Sequence, residues 1–302
     1  MANTTALAPA SAISWRQYLE LCKPNVVLLI VFTAIVGMLL SSPGMVPLDT
    51  LFFASLGIGM AAASGAAINH WVDQKIDATM ERTKGRPIPT GGLSSKAALS
   101  FALSLCVLSM AILLATTNQL TALLTFICVI GYAVIYTMFL KRSTPHNIVW
   151  GGAAGAAPPI LGWVAMTGEV NTEALLLFLI IFIWTPPHFW ALAIRRRDDY
   201  AKVDVPMLPV THGIPFTKVQ VLLYTCMLLA VTLIPFAIQM TGLIYLAGAV
   251  ALGLGFIYHA YKLYRCSADQ HAMKTFAYSI FYLTALFAFL LVDHYIRLVI
   301  RG

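Results

Sequence analysis

Asn69, Asp73 and Asp77 stand at i, i+4 and i+8 within "NHWVDQKIDATMERTKGRP", residues 69–87. On a helix these three project from one face, with neighbouring Cβ atoms about 5–6 Å apart. Glu81 would carry the series one turn further. A column of acidic groups repels itself unless a cation sits among them. Carboxylate and amide oxygens that leave room for water and phosphate oxygens suit Mg2+. Arg82, Lys84 and Arg86 follow at once, where they could hold phosphate oxygens, and "RPIPTGG" then ends the helix because Pro87 and Pro89 cannot continue it. Metal-binding oxygens followed by phosphate-binding cations describe a seat for a diphosphate. The competing reading is a solvated loop between two helices.

A second concentration of chemistry lies in "TPPHFWALAIRRRDDYAKVDVPMLP", residues 185–209. Pro186 and Pro187 are expected to interrupt the hydrogen-bond ladder of their helix. His188 follows them and precedes Arg195 by seven residues, about 10 Å of helix. An ionisable group that deep in an apolar run is a functional candidate, against the plainer reading of a neutral imidazole bonded to a freed carbonyl. Arg195, Arg196 and Arg197 form a patch suited to anions. Asp198 and Asp199 do not repeat the four-residue spacing, since Lys202 and Val203 stand four positions on and Asp204 is five after Asp199. A third group is "YTMFLKR", residues 136–142, which ends in Lys141 and Arg142 with Tyr136 about a turn and a half earlier. The pair reads either as phosphate ligands or as anchoring charge, and Tyr136 as a face for a cation or as an interfacial aromatic.

The elements that must position these groups are apolar helices. The chain has 302 residues, 60% of them hydrophobic and only 10% charged, where soluble domains average about a quarter charged. Nine apolar runs are long enough to cross a bilayer: 24–40, 51–68, 97–115, 120–140, 148–166, 174–194, 219–238, 243–261 and 276–292. No strand-length window alternates with period two, which argues against a β-barrel. The expected fold is therefore all-α, a polytopic membrane bundle of nine transmembrane helices. Residues 16–302 read as one transmembrane domain and 1–15 as a short disordered tail, which holds no Lys or Arg and so does not resemble a cleaved signal peptide.

The net charge of +7 has a topological explanation. Seventeen of the nineteen basic residues fall on alternate connections, and "SSPGMVPLDT" and "TGEVNTE" between them carry none. The positive-inside rule then puts the N-terminus in the cytoplasm and, with nine spans, the C-terminus outside, leaving Arg297 and Arg301 as exceptions. The basic excess calls for no nucleic-acid partner; the bilayer is the partner it implies. The charge motifs belong to the cytoplasmic face, and the opposite face is expected to be catalytically silent. The five cysteines lack CxxC spacing and read as packing residues. "GGAAGAAPP", residues 151–159, places small residues at Gly151, Gly155 and Pro159, a spacing for close helix packing or for room beside a flat ligand.

The motifs together, in order, resemble the intramembrane UbiA-type prenyltransferase superfamily. N-x-x-x-D-x-x-x-D followed by R-T-x-x-R-P is similar to its first acidic motif. "YLELCKPNVVLLIVFTAIVGM", "YTMFLKR", "NIVWGGAAGAAPPILGW" and residues 185–209 resemble one branch, the protohaem IX farnesyltransferases or haem O synthases. The resemblance implies transfer of farnesyl from farnesyl diphosphate to a vinyl group of haem B, with addition of water, in a bacterial cytoplasmic (inner) membrane. It assigns Mg2+ to Asn69, Asp73 and Asp77, and the diphosphate to Arg82, Lys84, Arg86, Lys141 and Arg142. Tyr136 and His188 join the ladder as catalytic candidates, and His188, Arg195, Arg196, Asp198 and Asp199 as candidates for substrate or haem. His70, His146, His212 and His259 are further conceivable haem contacts, none singled out. The altered second acidic motif supports one Mg2+ and not two. Contacts with haem-synthesis or terminal-oxidase assembly proteins follow from the product. Rival readings are a quinone-type aromatic prenyltransferase, which should carry a complete second acidic motif, a cation transporter, whose carboxylates should lie near the bilayer midplane, and a non-catalytic haem-binding or assembly protein.

Overall fold

In the computed structural model, residues 14–266 and 270–301 are described. Residues 1–13 of the expected tail lie outside that range, but Trp15 does not belong to a tail. It opens helix α1 (Trp15–Leu21), capped by the Ser14 side chain in a reciprocal capping box with Gln17. There follow α2 (Pro24–Leu40), α3 (Leu48–Thr79), α4 (Ser95–Thr116), α5 (Gln119–Ile130), a π-helix over Gly131–Leu140 and the single turn α6 (Lys141–Ser143). Then come α7 (Asn147–Ala156), α8 (Pro158–Thr167), α9 (Thr172–Arg195), α10 (Arg197–Ala201), α11 (Leu208–Thr211), α12 (Gly213–Ala237), α13 (Leu243–Arg265) and α14 (Gln270–Arg301). No strand occurs among the described residues.

Eight helical segments are long and apolar enough to cross a membrane, and α1 with α2, bent by 54°, makes a ninth when counted as one span. The bend falls at Lys23, whose φ of 50° lies in the left-handed region, directly before Pro24. Such a conformation costs a non-glycine residue about 1–2 kcal/mol.

Lipid tails are as apolar as leucine, so burial alone does not drive these helices together; close approach and interhelical bonds do. Gly37 and Gly162 show the first. A Cβ at either would run into a backbone carbonyl of the facing helix, that of Pro159 or of Ala34, so α2 and α8 touch main chain to main chain. Ser64 and Ser109 show the second, donating to the carbonyls of Ala102 and Gly57 at 2.7 Å and tying α3 to α4.

Three features of the helices bear on the site. Helix α3 ends at Thr79, so Glu81 leaves the ladder expected of it and lies exposed. Helix α9 keeps its course through Pro186 and Pro187, although neither has an N–H to give to the ladder. The end of the fourth span is a π-helix, a form that recurs at functional sites, and within it the Thr137 hydroxyl donates to the carbonyl of Tyr132. One apolar cluster gathers Ile76, Ile148, Ile194, Val205, Leu208, Leu263 and Ala272. It sets the ends of α3, α7, α9, α13 and α14 that carry the polar motifs side by side at one end of the bundle. At the other end, buried Asp293 caps α13 by accepting from the backbone N–H groups of Gly242 (2.6 Å) and Tyr245 (3.1 Å).

Candidate active site

The last three turns of α3 present Asn69, Asp73 and Asp77 on one buried face, each at most 6% exposed. Asn69 Nδ2 donates to Asp73 Oδ2 at 2.8 Å. Lys141, just past the π-helix, reaches the same carboxylate oxygen at 2.5 Å. Arg86 folds back from the loop to Asp77 Oδ2 at 2.5 Å. Lys23 completes the group, its Nζ 2.5 Å from Asn69 Oδ1. Three cations thus converge on two carboxylates, and the surplus positive charge favours an anionic ligand.

Whether the ladder suits a divalent ion depends on its spare oxygens. Asp73 Oδ1 is buried and has no hydrogen-bond partner, an arrangement normally avoided unless a ligand completes it. Among the described residues no group of three or more His, Cys, Asp or Glu side chains is placed to hold a metal. Two carboxylates and an amide are nevertheless what Mg2+ uses when substrate phosphates and water supply the remaining ligands. The residues fit that ion and do not form a metal cage of their own.

Tyr136 stacks on Tyr132 with ring centroids 5.6 Å apart. It does so because Gly151 lies against its ring, where any Cβ would collide with it. Gly155 meets nothing within 4 Å of where its Cβ would stand. The small-residue stripe on α7 therefore does two things: at Gly151 it admits an aromatic ring, and at Gly155 it leaves open space.

The other nominated residues divide. His188 is buried, and the rings of Trp184 and Phe276 stack on it at 4.2 and 4.5 Å. Lys84 lies at the surface and pairs with Glu81 at 2.7 Å, holding that carboxyl below its ordinary range. Arg82, Arg142, Arg195 and Asp198 are exposed, and Arg196 reaches Asp199 at 3.5 Å. Burial raises the Tyr200 phenol above its ordinary value, opposed by the Arg82 and Arg196 cations and reinforced by Asp199. His146 and His212 are exposed, and His259 stacks on Tyr278 at 4.6 Å. His70 is buried with neither ring nitrogen partnered.

Sequence reasoning missed Lys23, which it counted only as anchoring charge. The signal was present in the Lys-Pro step, which forces a bend, but its partner Asn69 is 46 residues away.

The chain matches the model of the UbiA prenyltransferase family over residues 30–290. It is 66% identical over 292 residues to a protein named protoheme IX farnesyltransferase from Thioalkalivibrio sulfidiphilus, covering 97% of each chain. A protein of the same name from Nitrosococcus oceani is 59% identical, with 97% of this chain and 98% of that one covered. Among solved structures, a digeranylgeranylglyceryl phosphate synthase superposes with a TM-score of 0.78 at 19% identity, over 92% of this chain and 98% of that one. A UbiA homologue from Archaeoglobus fulgidus bound to DMAPP and Mg2+ superposes with a TM-score of 0.64 at 16% identity, over 91% and 99%. At such identities these superpositions speak for the fold, and they agree with the helical bundle.

Proposed function

This chain belongs to the UbiA prenyltransferase family, and from that premise we propose that it transfers farnesyl from farnesyl diphosphate to a vinyl group of haem B, with addition of water, giving haem O and diphosphate. The observation that carries the reading is the nearly full-length likeness to protoheme IX farnesyltransferases. The site supports it, with a buried, cation-rich seat for a diphosphate beside apolar helices that suit a lipid tail.

Asp73, through its spare Oδ1, and Asp77 would hold Mg2+ together with Asn69, in keeping with the Mg2+ bound to the Archaeoglobus homologue. When bound, the ion supplies charge neutralisation for the leaving diphosphate. Lys23, Arg86 and Lys141 are placed to bind the phosphate oxygens and to stabilise the charge that develops as the allylic C–O bond breaks. Arg82 and Arg142 stand at the rim for the outer phosphate, and Lys84 lies further out. The Tyr136 ring offers its π face to the allylic cation. The vinyl carbon of haem B forms the new bond to the farnesyl carbon, and water captures the resulting cation and releases a proton. His188 belongs to the haem side, and Arg195, Arg196, Asp198 and Asp199 border the entrance, where the cations suit propionates. A single Mg2+ seat is consistent with the irregular spacing around Asp199.

The motif end faces the cytoplasm on this reading, which the distribution of basic residues supports, and the C-terminus lies outside. Proteins that make haem or assemble terminal oxidases are the partners such a product implies. An acceptor competition tests the proposal: with farnesyl diphosphate present, haem B is prenylated and a phenolic aromatic acid is not. Prenylation of the phenolic acid in preference to haem would favour the quinone-type reading instead.

A further inference from the structure

Ser279 lies fully buried on α14 and bonds twice to α9. Its carbonyl accepts from Trp184 Nε1 at 2.8 Å, and its Oγ lies 2.6 Å from His188 Nδ1. A third contact fixes where the hydrogens are. The same Oγ is 2.6 Å from the carbonyl oxygen of Phe276, in its own helix. Hydroxyl-to-oxygen bonds centre near about 2.7–2.8 Å, so two oxygens this close require a hydrogen between them. A carbonyl has none to give, and a serine hydroxyl has only one. That hydrogen is committed to Phe276, so the hydrogen in the contact with His188 must come from the imidazole. His188 is therefore protonated at Nδ1 and carries its lone pair at Nε2.

Nothing else in the pocket reverses this arrangement. The stacked rings of Trp184 and Phe276, with Phe189 edge-on at 5.0 Å, hold the imidazole plane. Nε2 has no hydrogen-bond partner among the described residues. His188 sits seven residues before the end of α9 and Asp73 six before the end of α3. At about 1.5 Å per residue these are nearly equal depths, so His188 stands about level with the diphosphate seat.

An imidazole whose Nδ1–H is fixed on an oxygen and whose Nε2 is bare is the arrangement by which histidines bind metals. We propose that Ser279 is a positioning residue that fixes His188 in the tautomer whose Nε2 ligates the iron of the haem substrate. This rests on the reading of haem B as acceptor. It gives α9 the task of anchoring the macrocycle by its iron while a vinyl group reaches the farnesyl carbon.

The test uses the purified full chain in detergent with ferric haem B and no farnesyl diphosphate, so that ligation is read apart from transfer. Absorption and electron paramagnetic resonance spectra of the wild type should show histidine-ligated iron. His188→Ala should lose that signature, and added imidazole should restore it. Ser279→Ala should remain folded, with a melting temperature lowered by the loss of a buried acceptor, and should weaken haem affinity about 10- to 100-fold, the range found when such supporting bonds are removed, and Ser279→Thr should recover most of it. A wild-type spectrum without histidine ligation, or one that His188→Ala leaves unchanged, overturns the proposal even if turnover falls, because His188 would then act on protons or on structure. Unchanged affinity in Ser279→Ala, with His188→Ala still losing the signature, overturns the role of Ser279. A wild type that neither binds haem nor farnesylates it defeats the underlying reading instead.

Discussion

Replacing Lys23 by methionine separates a binding role from a structural one. The side chain is of similar length and remains compatible with the bend, but the ammonium is gone. In the folded protein that ammonium makes one charge-assisted bond, to Asn69 Oδ1 at 2.5 Å, while sharing the cluster with Arg86 and Lys141. Its removal forfeits the bond but also relieves repulsion among three cations that serve two carboxylates. The two effects oppose each other, so the melting temperature should change by only a few degrees. Activity has no such compensation. A hydrogen bond to a charged group contributes about 1.5–3 kcal/mol. At about 1.4 kcal/mol per tenfold, losing one such bond to the departing diphosphate lowers kcat/KM roughly 10- to 150-fold. The assay is the initial rate of farnesylated haem formation, followed by mass spectrometry across a farnesyl diphosphate titration, beside a thermal melt of the same preparation. Lys23→Arg should retain more activity than Lys23→Met. Activity of Lys23→Met within twofold of wild type would rule out a phosphate-binding role for Lys23, as would a collapse in stability that accounts for the loss.

Gly151→Ala should displace the Tyr136 ring and cost about 1–3 kcal/mol by overpacking, whereas Gly155→Ala, with open space before it, should melt like wild type. Arg86→Ala should reduce turnover at least tenfold, while Lys84→Ala should leave it within about twofold, because among the described residues Lys84 pairs only with exposed Glu81; initial rates on matched membrane preparations decide it. At the far end, Asp293→Ala removes the acceptor for two backbone N–H groups and should cost about 1–3 kcal/mol, seen as a lower melting temperature with kcat unchanged at low temperature.

The acidic ladder was legible because its chemistry repeats at the helical period, and α3 carries it as a continuous helix to Thr79. The bundle was legible for a related reason: spans of this length and composition have few alternatives in lipid. What stayed hidden depends on chain segments far apart in sequence. Lys23 belongs to the site through a residue 46 positions away, and Ser279 touches His188 across 91. Neither residue type announces such a role, since one reads as anchoring charge and the other as a serine in an apolar helix. The π-helix was hidden for another reason: Gly131–Leu140 has the composition of an ordinary span, and only the backbone hydrogen-bond register distinguishes it. Glu81 misled in the opposite direction, keeping the spacing after the helix had ended.

On the proposed function, the ladder on α3 seats the metal and diphosphate for farnesylation of haem. Mass spectrometry of the haem recovered after incubating purified protein with haem B, farnesyl diphosphate and Mg2+ tests it most directly, with a chelated sample and Asp73→Asn run alongside. The complete reaction should yield haem bearing one farnesyl group and one water, and both others unmodified haem. Unmodified haem from a folded, complete reaction, or full product from Asp73→Asn or with the divalent ion removed, would contradict it.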